Sequence, residues 1–217
     1  MPNVAHFWDK PSFSLQFRAL RYIKAGEELT VTYCDFTAPA AERQKTLEPY
    51  GFRCTCVACQ NPTVSDLRRN MYLGSMPNLT DLIMWIANPR APADQLRNRL
   101  LEQVRICEEE KLHGDYRRTH SYLDLLILTY TLMADEENTL KYGRILGQQL
   151  LAHTGDDTKL KELSQIDYHR KQPAWGYKTR PTIGPLPVMR LEYFNKYYLG
   201  SGPTGTKPKI LAVPFCV

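Results

Sequence analysis

The sequence predicts an α+β protein, in which a small β-rich N-terminal part ends in a metal-binding loop and is followed by an α-helical domain. Three observations lead to this prediction. Apolar residues alternate along residues 13–22, which is the pattern of a half-buried strand. Three cysteines crowd into residues 54–59, a spacing typical of a metal site. From residue 78 onward the apolar residues recur with a helical period.

Residues 13–36 are predicted to form two strands joined by a turn. The first strand carries the alternating apolar residues, the turn lies at 25–27, and the second strand is the β-branched stretch ELTVTY at 28–33. The preceding segment VAHFW, residues 4–8, is also strand-like. A short polar helix is expected over about 38–47, immediately before the cysteines.

Four amphipathic helices are predicted after the cysteines. Their apolar stripes cover residues 79–86, 96–107, 122–133 and 142–150. Asp94 is expected to cap the second helix, while Gly114 and Gly155 are expected to end the second and the fourth. A last, polar helix is expected over 157–170. Short connections between successive antiparallel helices suggest a helical-repeat-like array, and the Pro- and Gly-rich tail from Pro173 is expected to be loose.

Composition excludes several classes of protein. The 217 residues are 43% hydrophobic and 24% charged, as in an ordinary globular protein. A net charge of +5 with scattered basic residues does not predict direct nucleic-acid binding, which needs a clustered basic stripe. No apolar run approaches the roughly 20 residues that span a bilayer, and the first residues lack the features of a signal peptide. Nucleus or cytoplasm, without disulfides, is the expected location.

The cysteine cluster is the sharpest chemical signal in the sequence. Cys54, Cys56 and Cys59 follow a Cys-x-Cys-x-x-Cys pattern, and zinc is held by four such ligands in a structural site. Three unligated loop thiols are the competing interpretation. It is less favoured because structural cysteines are usually spread through buried helices and strands, as Cys107 is on its apolar stripe. The sequence therefore predicts a zinc site that lacks one ligand.

Taken together, the segments "PN", "GEELTVTY" and "YGFRCTCVAC" resemble the C-terminal half of a SET domain followed by its post-SET zinc loop. Residues 26–33 match the family pattern Gly-Glu-Glu-Leu-x-x-x-Tyr, and residues 1–3 match the end of Asn-His-Ser-Cys-x-Pro-Asn. The cysteine spacing, and aromatics at Tyr50 and Phe52, are similar to those of the SET and MYND domain subfamily. The strong resemblance covers residues 1–60, whereas the helical part agrees by type only.

The resemblance implies four segments. Residues 1–48 would be the C-terminal half of a SET domain, 49–62 the post-SET zinc loop, 63–172 an α-helical domain, and 173–217 a Pro- and Gly-rich tail. SET domains are protein-lysine methyltransferases that use S-adenosyl-L-methionine (AdoMet). The implied substrate is a lysine on a histone or another protein, and the helical domain offers a surface for further protein partners.

The resemblance also implies roles for individual residues. Tyr33 would be the catalytic tyrosine, and Cys54, Cys56 and Cys59 would be zinc ligands. Tyr50 and Phe52 would line the lysine channel or contact the adenine of AdoMet, although simple packing over the zinc loop explains them equally well. Asn3, assigned to the cofactor-binding part, braces the crossing of the two motifs in this family, which is a structural rather than a catalytic role.

In the family, the fourth zinc ligand is the cysteine of the first motif, and the alignment places it one residue before Met1. We therefore expect an N-terminally truncated form with an incomplete AdoMet site, and no measurable AdoMet binding by the chain alone. Cys34, a water molecule or a cysteine of another molecule could supply the fourth ligand. The alternative function is a non-catalytic, zinc-stabilised helical interaction module. A zinc-ribbon nucleic-acid binder is disfavoured by the dispersed charge.

Overall fold

A computed structural model describes residues 2–74, 77–88 and 91–180 of the chain. These residues form an α+β protein that is mainly helical. The strands are β1 (Val4–Asp9) and β2 (Ser14–Ala19), and the α-helices are α1 (Ala40–Leu47), α2 (Val57–Gln60), α3 (Pro62–Gly74), α4 (Leu79–Ala87), α5 (Ala93–Glu110), α6 (Tyr116–Leu132), α7 (Glu136–Thr154), α8 (Thr158–Leu163) and α9 (Ile166–Arg170). Short 3-10 helices lie at Glu48–Tyr50 and Tyr177–Thr179.

The two strands form an antiparallel hairpin in which Val4 pairs with Ala19 and Asp9 with Ser14. One face of the hairpin lies against α7. There, Nη1 of Arg18 donates to the backbone oxygen of His153 at 2.5 Å, and the Phe7 ring meets the His153 ring edge-on at 5.3 Å. The strand predicted within residues 13–22 and the strand-like segment at 4–8 are both confirmed, and they pair with each other.

The prediction of a second strand at 28–33 is wrong, because no regular strand forms there. Asn3 explains the difference. The backbone N–H groups of Asn3 and Val4 both donate to the oxygen of Thr30, at 3.0 and 3.2 Å, while the N–H of Thr30 donates to the Asn3 side chain at 2.8 Å. The backbone and the side chain of Asn3 together thus take up the hydrogen-bonding groups of Thr30. The predicted turn is confirmed, with Gly26 at a φ of 81° that favours glycine.

The four predicted amphipathic helices are confirmed as α4 to α7, and their apolar stripes form the core. Fully buried core residues include Leu82, Ile86, Leu100, Ile106, Leu125, Leu126 and Leu146. Pro92, not Asp94, is the N-cap of α5. Asp94 lies in the first turn instead, where a carboxylate interacts favourably with the helix dipole.

Three further expectations change in the structure. The polar helix expected over 157–170 is two short helices, α8 and α9, separated at Ser164 and Gln165. Helix α3 was not predicted as a separate element. Ala174 and Tyr177 are buried in the core, so the tail from Pro173 is packed at its start. The Gly- and Pro-rich stretch at 200–209 lies outside the described residues.

Two glycines let α8 approach α7 closely. A Cβ at Gly143 would lie 2.4 Å from the backbone oxygen of Leu163, and a Cβ at Gly147 would lie 2.6 Å from Cα of Leu160. These contacts involve backbone atoms, which cannot move aside without shifting α8. Glycine is therefore required at both positions by the packing of the two helices.

Replacing Gly143 with alanine is expected to lower the free energy of unfolding by about 1–3 kcal/mol, the usual cost of overpacking. Chemical denaturation followed by circular dichroism measures this change. Gly74→Ala is the matched control, because a Cβ at Gly74 meets nothing within 4 Å; it should leave stability equal or slightly higher. Equal stabilities for Gly143→Ala and the native chain would contradict the close packing of α7 and α8.

Candidate functional site

The three cysteines of the predicted metal site converge in the structure. Cys56 is the N-cap residue of α2, and Cys59 lies in the same short helix. Their thiol sulfurs and that of Cys54 all lie within 4.8 Å of one another. A tetrahedral zinc with Zn–S bonds of about 2.3 Å would place its sulfurs roughly 3.8 Å apart. The cluster therefore fits a zinc ion after small side-chain adjustments.

The three thiols differ in how readily they ionise. Burial raises the pKa of Cys54 to about 11. Burial also opposes ionisation of Cys56, but hydrogen bonds from the backbone of Cys59 and from the neighbouring thiols outweigh it, so the pKa of Cys56 is lowered. Since a metal ion takes the thiolate form, Cys56 is better prepared for ligation than Cys54.

Helix α1 holds the cysteine loop through one glutamine. Nε2 of Gln44 donates to the backbone oxygen of Phe52 at 3.2 Å, and Oε1 of Gln44 accepts the backbone N–H of Cys54 at 3.1 Å. The nitrogen and the oxygen of the Gln44 amide thus both hold the backbone where it leads into the cysteine cluster. The sequence alone does not single out Gln44, because nothing in its local pattern distinguishes it from other polar residues of a surface helix.

Cys34 lies near the cluster but outside it. Burial raises the pKa of its thiol, and although the charge of Arg43 opposes this rise, the charges of Asp35, Cys59 and Cys56 add to it. Among the described residues, only the sulfurs of Cys54, Cys56 and Cys59 form a group within the 4.8 Å limit. As a fourth ligand Cys34 would have to move towards the other three, and this role stays a prediction.

The cysteine loop also places aromatic side chains together. The rings of Tyr33 and Tyr50 lie 5.3 Å apart, tilted by 57°. Tyr33 is 59% exposed, Tyr50 61% and Phe52 50%. All three rings are therefore accessible to a ligand rather than enclosed in the core. The structure brings the two tyrosines into contact, and their catalytic and binding roles stay predictions.

Asn3 joins the start of β1 to the residues that lead to Tyr33. It is 1% exposed, and its Nδ2 donates to the backbone oxygen of Glu28 at 2.9 Å and to Oε1 of Glu27 at 3.1 Å. Hydrogen bonds from Arg21, from the backbone of Lys24 and from Asn3 lower the pKa of Glu27 to about 2. Both the nitrogen and the oxygen of the Asn3 amide are used in these hydrogen bonds, and its assignment to the cofactor-binding part stays a prediction.

No helix within the described ranges has both the length and the apolar character that membrane crossing requires.

Comparison with known proteins gives relatives of one kind. The chain is 34% identical over 140 residues to the histone-lysine N-methyltransferase set5 of Schizosaccharomyces pombe, a match that covers 54% of this chain and 42% of that protein. It is 32% identical over 153 residues to the histone-lysine N-methyltransferase Smyd1 of Mus musculus, covering 64% and 31%. It is 37% identical over 59 residues to a SET and MYND domain-containing protein of Dictyostelium discoideum, covering 27% and 11%. No protein-family model matches the chain, nor does any solved structure.

The chain spans less than half the length of each of these relatives. The matched proteins are nevertheless of the kind that the motif at residues 26–33 and the cysteine spacing indicate. The chain is therefore similar to histone-lysine N-methyltransferases and to a SET and MYND domain-containing protein.

Proposed function

We propose that these residues form the tyrosine- and zinc-bearing part of a SET-type protein-lysine N-methyltransferase. The observation that supports this proposal best is the contact between Tyr33 and Tyr50. Tyr50 lies only four residues before Cys54, so an ion held by the cysteines would fix the residues that place Tyr50 against Tyr33. A metal held by the cysteines would thereby be linked to the exposed tyrosine pair.

The proposed chemistry is the methylation of a lysine amine. AdoMet, when bound, would supply a methyl group on a sulfonium. The neutral amine would bond to the methyl carbon as the carbon–sulfur bond breaks and S-adenosyl-L-homocysteine leaves, and the methylated ammonium would then release a proton to solvent. The hydroxyl of Tyr33 would hold the amine nitrogen in line with that methyl group, and such positioning accounts for much of the rate of a two-substrate transfer. The rings of Tyr50 and Phe52 would shield the amine from water, which lowers its pKa and favours the neutral form.

In the same proposal Cys54, Cys56 and Cys59 hold a structural zinc. The fourth ligand would be Cys34, a water molecule or a cysteine of another molecule. Asn3 braces the segment that carries Tyr33 without touching the cofactor. The substrate is a lysine on a histone or another protein in the nucleus or cytoplasm, and the relatives named as histone-lysine N-methyltransferases support a protein substrate.

Tyr33→Phe is expected to lower methyl transfer about 100-fold, the cost of misplacing a reacting group by about 1 Å. The measurement is the transfer of labelled methyl from AdoMet to purified histones. Because the chain spans less than half of its relatives, the assay uses the longest product of the gene that contains residues 1–217. Tyr22→Phe is the matched control, since Tyr22 is 83% exposed and has no proposed role. Undiminished transfer by Tyr33→Phe would contradict the assignment.

A second candidate is a non-catalytic interaction module. It is favoured by the face of the hairpin that points away from α7, where Trp8 is 53% exposed, Leu15 49% and Phe17 60%. Calorimetric titration of the chain with AdoMet bears on both candidates. We expect no measurable binding by the chain alone, and micromolar binding would contradict that expectation. Absence of methyl transfer by the longer, folded, zinc-loaded product would favour the interaction module.

A further inference from the structure

Arg43 on α1 contacts the cysteine cluster directly. Its side chain is 5% exposed, and its Nη2 donates to the sulfur of Cys59 at 3.3 Å. Its Nη1 donates to the backbone oxygen of Ala38 at 2.7 Å. The guanidinium is therefore fixed at two points, one of them a thiol of the proposed metal site.

The charge of Arg43 is only partly balanced by its protein neighbours. Among the described residues, Asp66 is the carboxylate within ion-pair distance, at 4.0 Å, and the same Oδ1 already accepts the backbone N–H of Ala40 at 2.9 Å. Arg69 is a second buried cation nearby, and its pKa is lowered by burial and by the charge of Arg43. Glu110 pairs with Arg69 at 3.2 Å and balances that second cation. Arg43 has no such buried carboxylate among its described ion-pair partners, and a buried charge is costly unless an anion lies beside it.

A metal-loaded cysteine cluster would supply that anion. Zinc with three thiolates carries a formal charge of about −1, and with four thiolates about −2. The cation of Arg43 and the sulfur of Cys59 are already in contact, so this charge would form directly against the guanidinium. The arrangement is electrostatically complementary to a zinc–thiolate centre and not to three neutral thiols.

We propose that Arg43 is the positioning residue and charge partner of the zinc centre, acting through its hydrogen bond to Cys59. This inference rests on the proposed zinc site. Hydrogen bonds to metal ligands orient the ligand and tune its donor strength. The planar guanidinium reaches Ala38 and Cys59 simultaneously, which the single ammonium of a lysine does not reproduce with the same geometry.

The first test is the zinc affinity of the purified chain, measured by competition with a chromophoric chelator at fixed pH. Arg43→Met is expected to weaken zinc binding about 10- to 100-fold, the usual effect of removing a partner of a metal ligand. Arg43→Lys, which keeps the charge but not the fork, should show a smaller loss. Arg68→Met is the matched control on α3: Arg68 is 38% exposed, pairs with Glu109 and Glu110 and makes no ion pair with the cysteine cluster, so affinity should stay within about twofold.

The second test separates a direct effect on the sulfur from a loss of packing. Cobalt replaces zinc, and the sulfur-to-cobalt charge-transfer band is recorded for each variant. Removing an N–H···S bond leaves more electron density on the sulfur, so the band of Arg43→Met should move to lower energy. A residue that acts only through packing would change the amount of bound cobalt without moving the band.

The outcomes distinguish the two proposals. If the native chain binds neither zinc nor cobalt, the proposed metal centre fails, and with it the role of Arg43. If the native chain binds metal but both Arg43 variants keep its affinity and its band, only the inference about Arg43 is overturned. Weaker metal binding by Arg43→Met, without a shift of the sulfur-to-cobalt charge-transfer band, also overturns that inference. Should Arg43→Met fail to fold, the folded Arg43→Lys variant decides by the same two readouts.

Discussion

Cys56→Ser is expected to reduce bound zinc from near one ion per chain to almost none, and to lower the melting temperature. Structural zinc sites in small peptides bind with an apparent free energy of about 10–16 kcal/mol, which is coupled to folding. Losing even about 3 kcal/mol would lower the melting temperature of a domain of this size by roughly 6–12 °C. Elemental analysis and thermal unfolding of the purified proteins measure the two effects.

Cys56 is the most informative ligand to remove. The pKa of its thiol is lowered whereas that of Cys54 is raised, and Cys56 is the N-cap of α2, which carries Cys59. Cys107→Ala is the matched control, because Cys107 is a buried core thiol and lies outside the cluster; zinc content should not change. A Cys56→Ser protein with the zinc content of the native chain would remove the metal site from the proposed function.

The elements that sequence reasoning predicted well are those whose signal is local. The stripe along α5 repeats with the helical period, so each apolar residue by itself points to the same buried face. The convergence of the three cysteines is also local, since six residues of chain keep their sulfurs within reach of one ion. Neither prediction required knowledge of a distant partner.

Helix α3 shows where that reasoning fails. Its buried residues are Ser65, Arg69 and Tyr72, which recur with a helical spacing but are polar or amphipathic. A search for apolar periodicity does not detect such a face. Burial of Arg69 is possible because its Nη2 lies 3.2 Å from Oε2 of Glu110, and Glu110 belongs to a different helix, α5. No local sequence pattern predicts the ion pair between Arg69 and Glu110.

The absence of a strand at 28–33 and the hydrogen bonds around the cysteines could not be predicted, for the same physical reason. The side-chain oxygen of Asn3 accepts the backbone N–H of Thr30. The Gln44 side chain hydrogen-bonds to the backbone of Phe52 and of Cys54. These contacts depend on how separate segments meet, which β-propensity does not encode. The neighbouring positions of Tyr33 and Tyr50 followed only from the resemblance to SET domains.

The buried pair between α3 and α5 gives the second large expected effect. Oε2 of Glu110 accepts from Nη2 of Arg69 at 3.2 Å and from the hydroxyl of Ser65 at 2.5 Å, while Nη1 of Arg69 donates to the backbone oxygen of Phe36. Arg69 is 1% exposed and Glu110 5%. Glu110→Leu is therefore expected to lower the free energy of unfolding by about 3–5 kcal/mol, because it leaves a buried cation without its anion.

The double variant Arg69→Met, Glu110→Leu tells whether the charge or the packing causes the loss. Replacing both members of a buried pair by apolar residues is often close to neutral, so the double variant should regain most of the stability that Glu110→Leu loses. Glu109→Leu is the matched control one residue away: Glu109 is 34% exposed and pairs with the half-exposed Arg68 and Arg105, so its removal should cost less than about 1 kcal/mol. A double variant as unstable as Glu110→Leu, measured by denaturant unfolding, would mean that packing around α3 and α5, and not an uncompensated charge on Arg69, determines the effect.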